Sequence, residues 1–154
     1  MHEGLISNWN QVVKPNDTVY HLGDFSLLTI PSRIDEILSQ LNGRIRLVEG
    51  NHDKWIKKIP KLKFGKKIEW VKPYFEHKFG SNFIVMSHYP FRAWNRSHHG
   101  SFNLAGHSHS SLDEENLSLR RMDVGVDAMY SNYTPISLEF IVEELSKRPL
   151  IFHH

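Results

Sequence analysis

The stretch NLAGHSHSSL, residues 103–112, decides how the chain is read. A short apolar run reaches Gly106, and His107 and His109 follow with one residue between them. On an extended backbone, residues two apart project to the same side, so both imidazoles would face one place. The same device recurs three times upstream. TVYHL, residues 18–22, runs into Gly23–Asp24; RIRLVEG, residues 44–50, runs into Asn51–His52–Asp53; and NFIVMSHYP, residues 82–90, carries Ser87–His88. Each time, a β-branched or apolar run ends in a small residue, and a side chain able to bind metal follows.

In a sheet buried on its faces, strand ends at one edge open into a shared crevice, so side chains distant in sequence converge there. Glycine before a ligand lets the backbone turn sharply and approach an ion closely. Asp24, Asn51, His88 and His107 would together supply one carboxylate, one amide oxygen and two imidazoles. That sulfur-free donor set suits manganese, iron, zinc or a similar divalent ion. His107 and His109 would grip neighbouring ions, with Asp24 bridging them. Paired metals ~3.5–4 Å apart clamp the attacking and leaving oxygens of phosphoryl transfer.

Composition agrees and excludes other classes. The 154 residues suit one domain with a real core. Lysine plus arginine number 19 against 17 for aspartate plus glutamate, a balance that argues for neither nucleic acid nor membrane. Eleven histidines and no cysteine leave nitrogen and oxygen as the metal donors and remove disulfides and thiolate sites. No run approaches the ~18 apolar residues of a membrane span, and MHEGLISNWN lacks a basic head before an apolar stretch, so the expected compartment is the cytoplasm. His153 and His154 are given no function.

Between the ligand-bearing ends, periodicity predicts helices. HEGLISNWNQVV sets Leu5, Ile6, Trp9, Val12 and Val13 on one face. PSRIDEILSQL does the same with Ile34, Ile37, Leu38 and Leu41, opening on Pro31. SLEFIVEELSK reads as a closing amphipathic helix capped by Ser137, and LSLRRMDVGVD, residues 117–127, as a fifth strand. The run KWIKKIPKLKFGKK, residues 54–67, reads as a solvated surface around packed anchors. Alternation of strands and helices without repeats or linkers predicts a single α/β unit.

HLGD, EGNHD, MSHYP and AGHSH, in that order, resemble the successive signatures of the calcineurin-like metallophosphoesterases. VVKPNDTVYHLGDF and MDVGVDAM resemble the small bacterial and phage-type members, and the resemblance covers the chain from about Leu5 to Leu145. It implies a four-layer α/β/β/α sandwich of mixed sheets with a two-metal centre at one edge. By motif, Asp24 would bridge the metals, Asn51, His88 and His107 would complete the second site, and His109 would serve the first. His52 matches the family's catalytic histidine, which holds a phosphate oxygen and protonates the leaving alkoxide, with Asp53 orienting its ring. The nucleophile would be hydroxide held between the metals, and the reaction hydrolysis of a phosphomonoester or phosphodiester.

One departure stands out. The family pattern opens with Asp–x–His on a first strand, and before Asp24 this chain offers only His2, Glu3, Asp17 and His21 outside any such motif. The first metal would keep Asp24 and His109 alone, which predicts a centre with one ion or a weakly held pair. The domain, residues 1–154, is then expected to be N-terminally truncated and to lack the first strand, with an open apolar edge that invites homo-oligomers. The alternative function is a non-catalytic metal-binding remnant or protein-interaction module; a nucleic-acid binder resting on the lysine run ranks third. His21 reads as packed, His98, His99, Arg92 and Arg96 as surface, Asp123 and Asp127 as turn supports, and Trp9 as core.

Overall fold

A computed structural model describes residues 3–25, 30–108 and 111–150. The predicted first helix is α1, Glu3–Val12, and it buries Ile6 and Trp9 one turn apart. The TVYHL stretch forms β1, Thr18–His21. Helix α2, Pro31–Gln40, starts on its proline and buries Ile34, Ile37 and Leu38 along one stripe. Strand β2, Arg44–Val48, and strand β3, Ile68–Lys72, follow. All three strands run parallel in the order β1-β2-β3.

The second sheet has the order β4-β5-β6-β7. Strands β4, Phe75–Phe79, and β5, Asn82–Met86, form a hairpin in which Phe79 faces Asn82 across the Gly80–Ser81 turn. Strands β6, Phe102–Ala105, and β7, Arg121–Asp123, then add in parallel. Two short elements complete the chain: α3, Asp113–Asn116, and α4, Leu138–Ser146. Ser137 caps α4 as expected, its hydroxyl accepting from the Phe140 amide at 3.2 Å.

Strand alternation divides the apolar residues between two cores. Ile45, Leu47 and Ile68 on one face of the first sheet pack with Ile6, Trp9, Ile34, Leu38 and Trp55. The opposite face sends Tyr20, Val48 and Trp70 toward Ile84, Met86, Phe102, Leu104 and Met122 of the second sheet, where Ile141 and Leu145 of α4 join them. The protein is thus a mixed α/β fold of two facing sheets with helices, and no helix among the described residues is long and apolar enough to cross a membrane.

Several segments differ from the sequence-based expectation. Strands β3 and β4 were not anticipated. Residues 54–61 of the lysine run wind as a 3-10 turn that buries Trp55 completely, while Lys54, Lys57 and Lys61 stay exposed. The strand expected from Leu117 begins only at Arg121, because Leu117 ends α3 in a helical conformation with 54 % of its surface exposed.

Arg148 fastens the far end of the second sheet. Its buried guanidinium donates to the carbonyls of Asn116, Leu119 and Arg121 at 2.8, 3.2 and 2.9 Å, and to Tyr130 Oη and Glu144 at 2.9 and 3.2 Å.

Candidate metal centre

The four strands that end in ligand-capable residues all present their carboxyl ends to one place. β1 and β2 deliver Asp24 and Asn51 from the first sheet, and β5 and β6 deliver His88 and His107 from the second. His88 Nε2 lies 2.8 Å from Asn51 Oδ1, 3.0 Å from His107 Nδ1 and 3.3 Å from Asp24 Oδ2. One ligand atom each of Asp24, His88 and His107 falls within a mutual spacing of 4.8 Å. The structure brings these four residues together at one edge. His109 lies outside the described residues.

The chemistry of this donor set fits a cation. His88 Nδ1 sits 2.8 Å from the carbonyl oxygen of Leu22, a group that only accepts, so Nδ1 carries the proton. Nε2 then faces a carboxylate oxygen and an amide oxygen, neither of which can donate. Lone pairs crowded together in this way repel unless a positive charge lies among them, and a divalent ion with nitrogen and oxygen ligands meets that need. The hydrogen bond from Nδ1 to a backbone carbonyl is also the usual device for fixing the ring of a metal-binding histidine.

Two glycines make the approach geometrically feasible. Gly23 adopts φ +105°, and a Cβ there would stand 2.3 Å from His88 Nδ1. At Gly50 a Cβ would stand 2.4 Å from the Asp24 amide nitrogen and 2.5 Å from its Oδ1. Asp24 itself is held at φ 57°, a conformation uncommon for a residue with a side chain.

Asp53 explains how Asp24 stays there. Its carboxylate is 2 % exposed. Oδ2 accepts from the amides of Asp24 at 2.7 Å and Gly50 at 2.9 Å, while Oδ1 accepts from the amide of Phe25 at 2.8 Å and the indole of Trp55 at 3.0 Å. Asp53 was expected to orient the His52 ring. Four donors fill its lone pairs instead, so it stitches the turn after β1 to the turn after β2. His52 is exposed on that second turn, its amide 2.8 Å from Asp24 Oδ1.

His21 is packed, as expected, edge-on to Phe25 at 5.1 Å between ring centres. Its Nδ1 is buried with no hydrogen-bond partner among the described residues. Burial lowers its pKa to about 4, opposed by the charges of Asp53 and Asp24 and reinforced by His88. Asp123 supports its turn by accepting from the Gly125 amide at 2.9 Å. Arg92, Arg96, His98 and His99 are exposed, with Arg96 lying over the Phe83 ring at 5.0 Å.

Sequence reading overlooked Asn103 and Tyr89. Asn103 is fully buried and bridges β5, Ser87 and Phe91: its amide donates to Val85 O and Ser87 Oγ at 3.1 and 3.2 Å, and its oxygen accepts from Phe91 N at 3.0 Å. An asparagine inside the apolar stub of NLAG was the available signal. Tyr89 packs on both imidazoles, 4.5 Å from the His107 ring and 5.0 Å from that of His88.

Comparison with known proteins agrees with this geometry. The chain is 33% identical over 154 residues to an uncharacterized protein of Methanocaldococcus jannaschii, covering 98% of this chain and 78% of that one. It is 28% identical over 149 residues to the gene 66 protein of Mycobacterium phage L5, covering 80% of this chain and 72% of the phage protein. Its fold is similar to that of a protein of unknown function from Aquifex aeolicus, with a TM-score of 0.69 at 23% identity over 93% of this chain and 86% of the other. The family profile of calcineurin-like phosphoesterases matches residues 2–153, and the chain belongs to that family.

Proposed function

We propose that this protein hydrolyses phosphoesters with a divalent metal held by Asp24, Asn51, His88 and His107, working as one domain. The observation that carries the reading is the convergence of His88 Nε2, Asn51 Oδ1 and Asp24 Oδ2, three acceptors within 3.3 Å of the first of them, with the competing His88 nitrogen already satisfied by Leu22. A bound divalent cation supplies a lowered pKa for water and a pull on the phosphoryl oxygen. The chain's own residues do the remainder. Asp24, fixed by its left-handed backbone and by Asp53, sets where the phosphate must lie. His52, exposed beside it, is the group free to hold a phosphate oxygen and to give a proton to the leaving alkoxide.

The test is turnover of a bis-aryl phosphodiester and an aryl monophosphate with added manganese. Wild-type protein should exceed His52→Ala by ~10²–10⁴-fold, the usual contribution of a positioned acid. No excess over that variant would overturn the reading.

A second reading, a metal-binding protein without catalysis, is favoured by a specific observation. Among the described residues, Asp24, His88 and His107 form the one group of acidic and imidazole side chains near enough to share an ion. It predicts a metal-induced rise in Tm without turnover.

A further inference from the structure

Tyr89 has more order and more exposure than packing alone requires. Its backbone is fixed on both sides: Ser87 Oγ donates to Tyr89 O at 2.7 Å, Pro90 follows, and Phe91 N donates to the buried Asn103 at 3.0 Å. The ring is fixed as well, leaning on His107 at 53° with centres 4.5 Å apart. Yet 51 % of the residue is open to solvent. The loop carries a second such surface two residues on, where Phe91 stacks on Tyr74, itself 39 % exposed, with ring centres 5.9 Å apart. A rigid, half-open aromatic ring against two metal-binding imidazoles is a surface for a flat group joined to the reacting phosphate. Rings of this kind gain from stacked or tilted aromatic partners, and every nucleobase offers such a face.

We propose that Tyr89 is a specificity-determining residue on which a nucleobase of the substrate stacks, so that the site takes nucleotidic phosphoesters in preference to sugar or alkyl phosphates. The inference rests on the phosphoesterase reading above and names its substrate class. The competing role for Tyr89, a lid that only shields His107 from water, would raise activity on every ester alike.

The experiment compares esters with matched leaving groups on the manganese-loaded protein: a nucleoside 5′-monophosphate against ribose 5-phosphate, and a dinucleotide against its abasic counterpart. Dissociation constants and kcat/KM are both measured for wild type, Tyr89→Phe and Tyr89→Leu. In each protein the quantity read is the ratio of base-bearing to base-free substrate, so a general loss of activity cancels. The expected wild-type ratio is about tenfold or more, carried by KM, which is the size that base stacking on an aromatic side chain provides. Phenylalanine should keep the ratio and leucine should bring it near one. A wild-type ratio near one in both binding and turnover overturns this inference while leaving the phosphoesterase reading intact. Absence of turnover on every ester overturns that reading instead, and the binding ratio still decides the role of Tyr89.

Discussion

The two halves of the candidate metal centre are fastened by different means. Asp24 and Asn51, on the turns after β1 and β2, depend on a single buried carboxylate that gathers four donors. His88 and His107, on the turns after β5 and β6, depend on the main chain: the carbonyl of His88 accepts from the amides of Gly106 at 3.1 Å and His107 at 3.0 Å. Across the seam His88 reaches the first half at three points: its Nδ1 meets Leu22 O at 2.8 Å, and its Nε2 lies near Asn51 Oδ1 and Asp24 Oδ2. One carboxylate gathers the acidic half, whereas the imidazole half divides its fastening between main-chain amides and the buried Asn103, which ties Ser87 and Phe91 on either side of His88.

The largest effect should therefore come from Asp53→Ala. Four donors would lose their acceptor, and each buried donor left without one costs about 1–3 kcal/mol. Thermal unfolding should show a drop of at least ~4 kcal/mol or a chain that does not fold. An unaltered Tm would contradict the unequal fastening of the two halves.

Acid should act next, through His21 beneath the acidic half. The unfolded ring takes a proton near pH 6.5, while the buried ring holds off until about 4. Between those values the unfolded chain binds more protons, so stability falls as pH drops through that window, by on the order of 3 kcal/mol for a shift of this size. His21→Leu should flatten that part of the stability curve, as followed by denaturant titration at stepped pH; an unchanged slope would remove His21 from the account.

Metal should bind the halves together. Manganese at a hundred times its dissociation constant should add about 2.7 kcal/mol to the unfolding free energy. The gain should vanish on chelation and in His107→Ala, and a similar gain in that variant would place the ion elsewhere.

The smallest effect tests the seam. Gly23→Ala would push a methyl into His88 Nδ1 and against the Gly50 backbone, and strain a backbone at φ +105°. Metal affinity should fall ~10–100-fold, as when an outer hydrogen bond to a ligand is lost, while the fold persists. Calorimetric titration showing wild-type affinity would mean that His88 does not need Leu22.

The meeting of the candidate ligands was legible in the sequence because each follows an apolar run, and strand ends in parallel sheets share an edge. Asp24, Asn51, His88 and His107 could be read that way. What could not be read depends on distance in space. Asp53 looked like the neighbour of His52, but its partners at residues 24, 25, 50 and 55 come together only after two turns meet. Strands β3 and β4 were hidden by half-burial: in β4 only Phe75, Glu76 and Phe79 are partly covered, and the lysines just upstream masked the onset of β3. The apolar alternation of Phe75, His77 and Phe79 before Gly80 was the usable hairpin signal. The role of Tyr89 follows from ring contacts that no spacing rule encodes.

Arg148 carries a consequence for protease resistance. Its guanidinium ties the turn before β7 and the strand's first residue to Tyr130 and to α4. A nick between Arg121 and Arg148 would leave the two fragments joined by that clasp, by Arg120 on the carbonyls of Ser146 and Arg148, and by the packing of Ile141 and Leu145, still seated until denaturant or competing guanidinium loosens them. Release of the cleaved tail would then uncover Phe102 and Met122, so digestion should proceed in two steps: cutting first, and collapse of the second sheet only when these contacts give way.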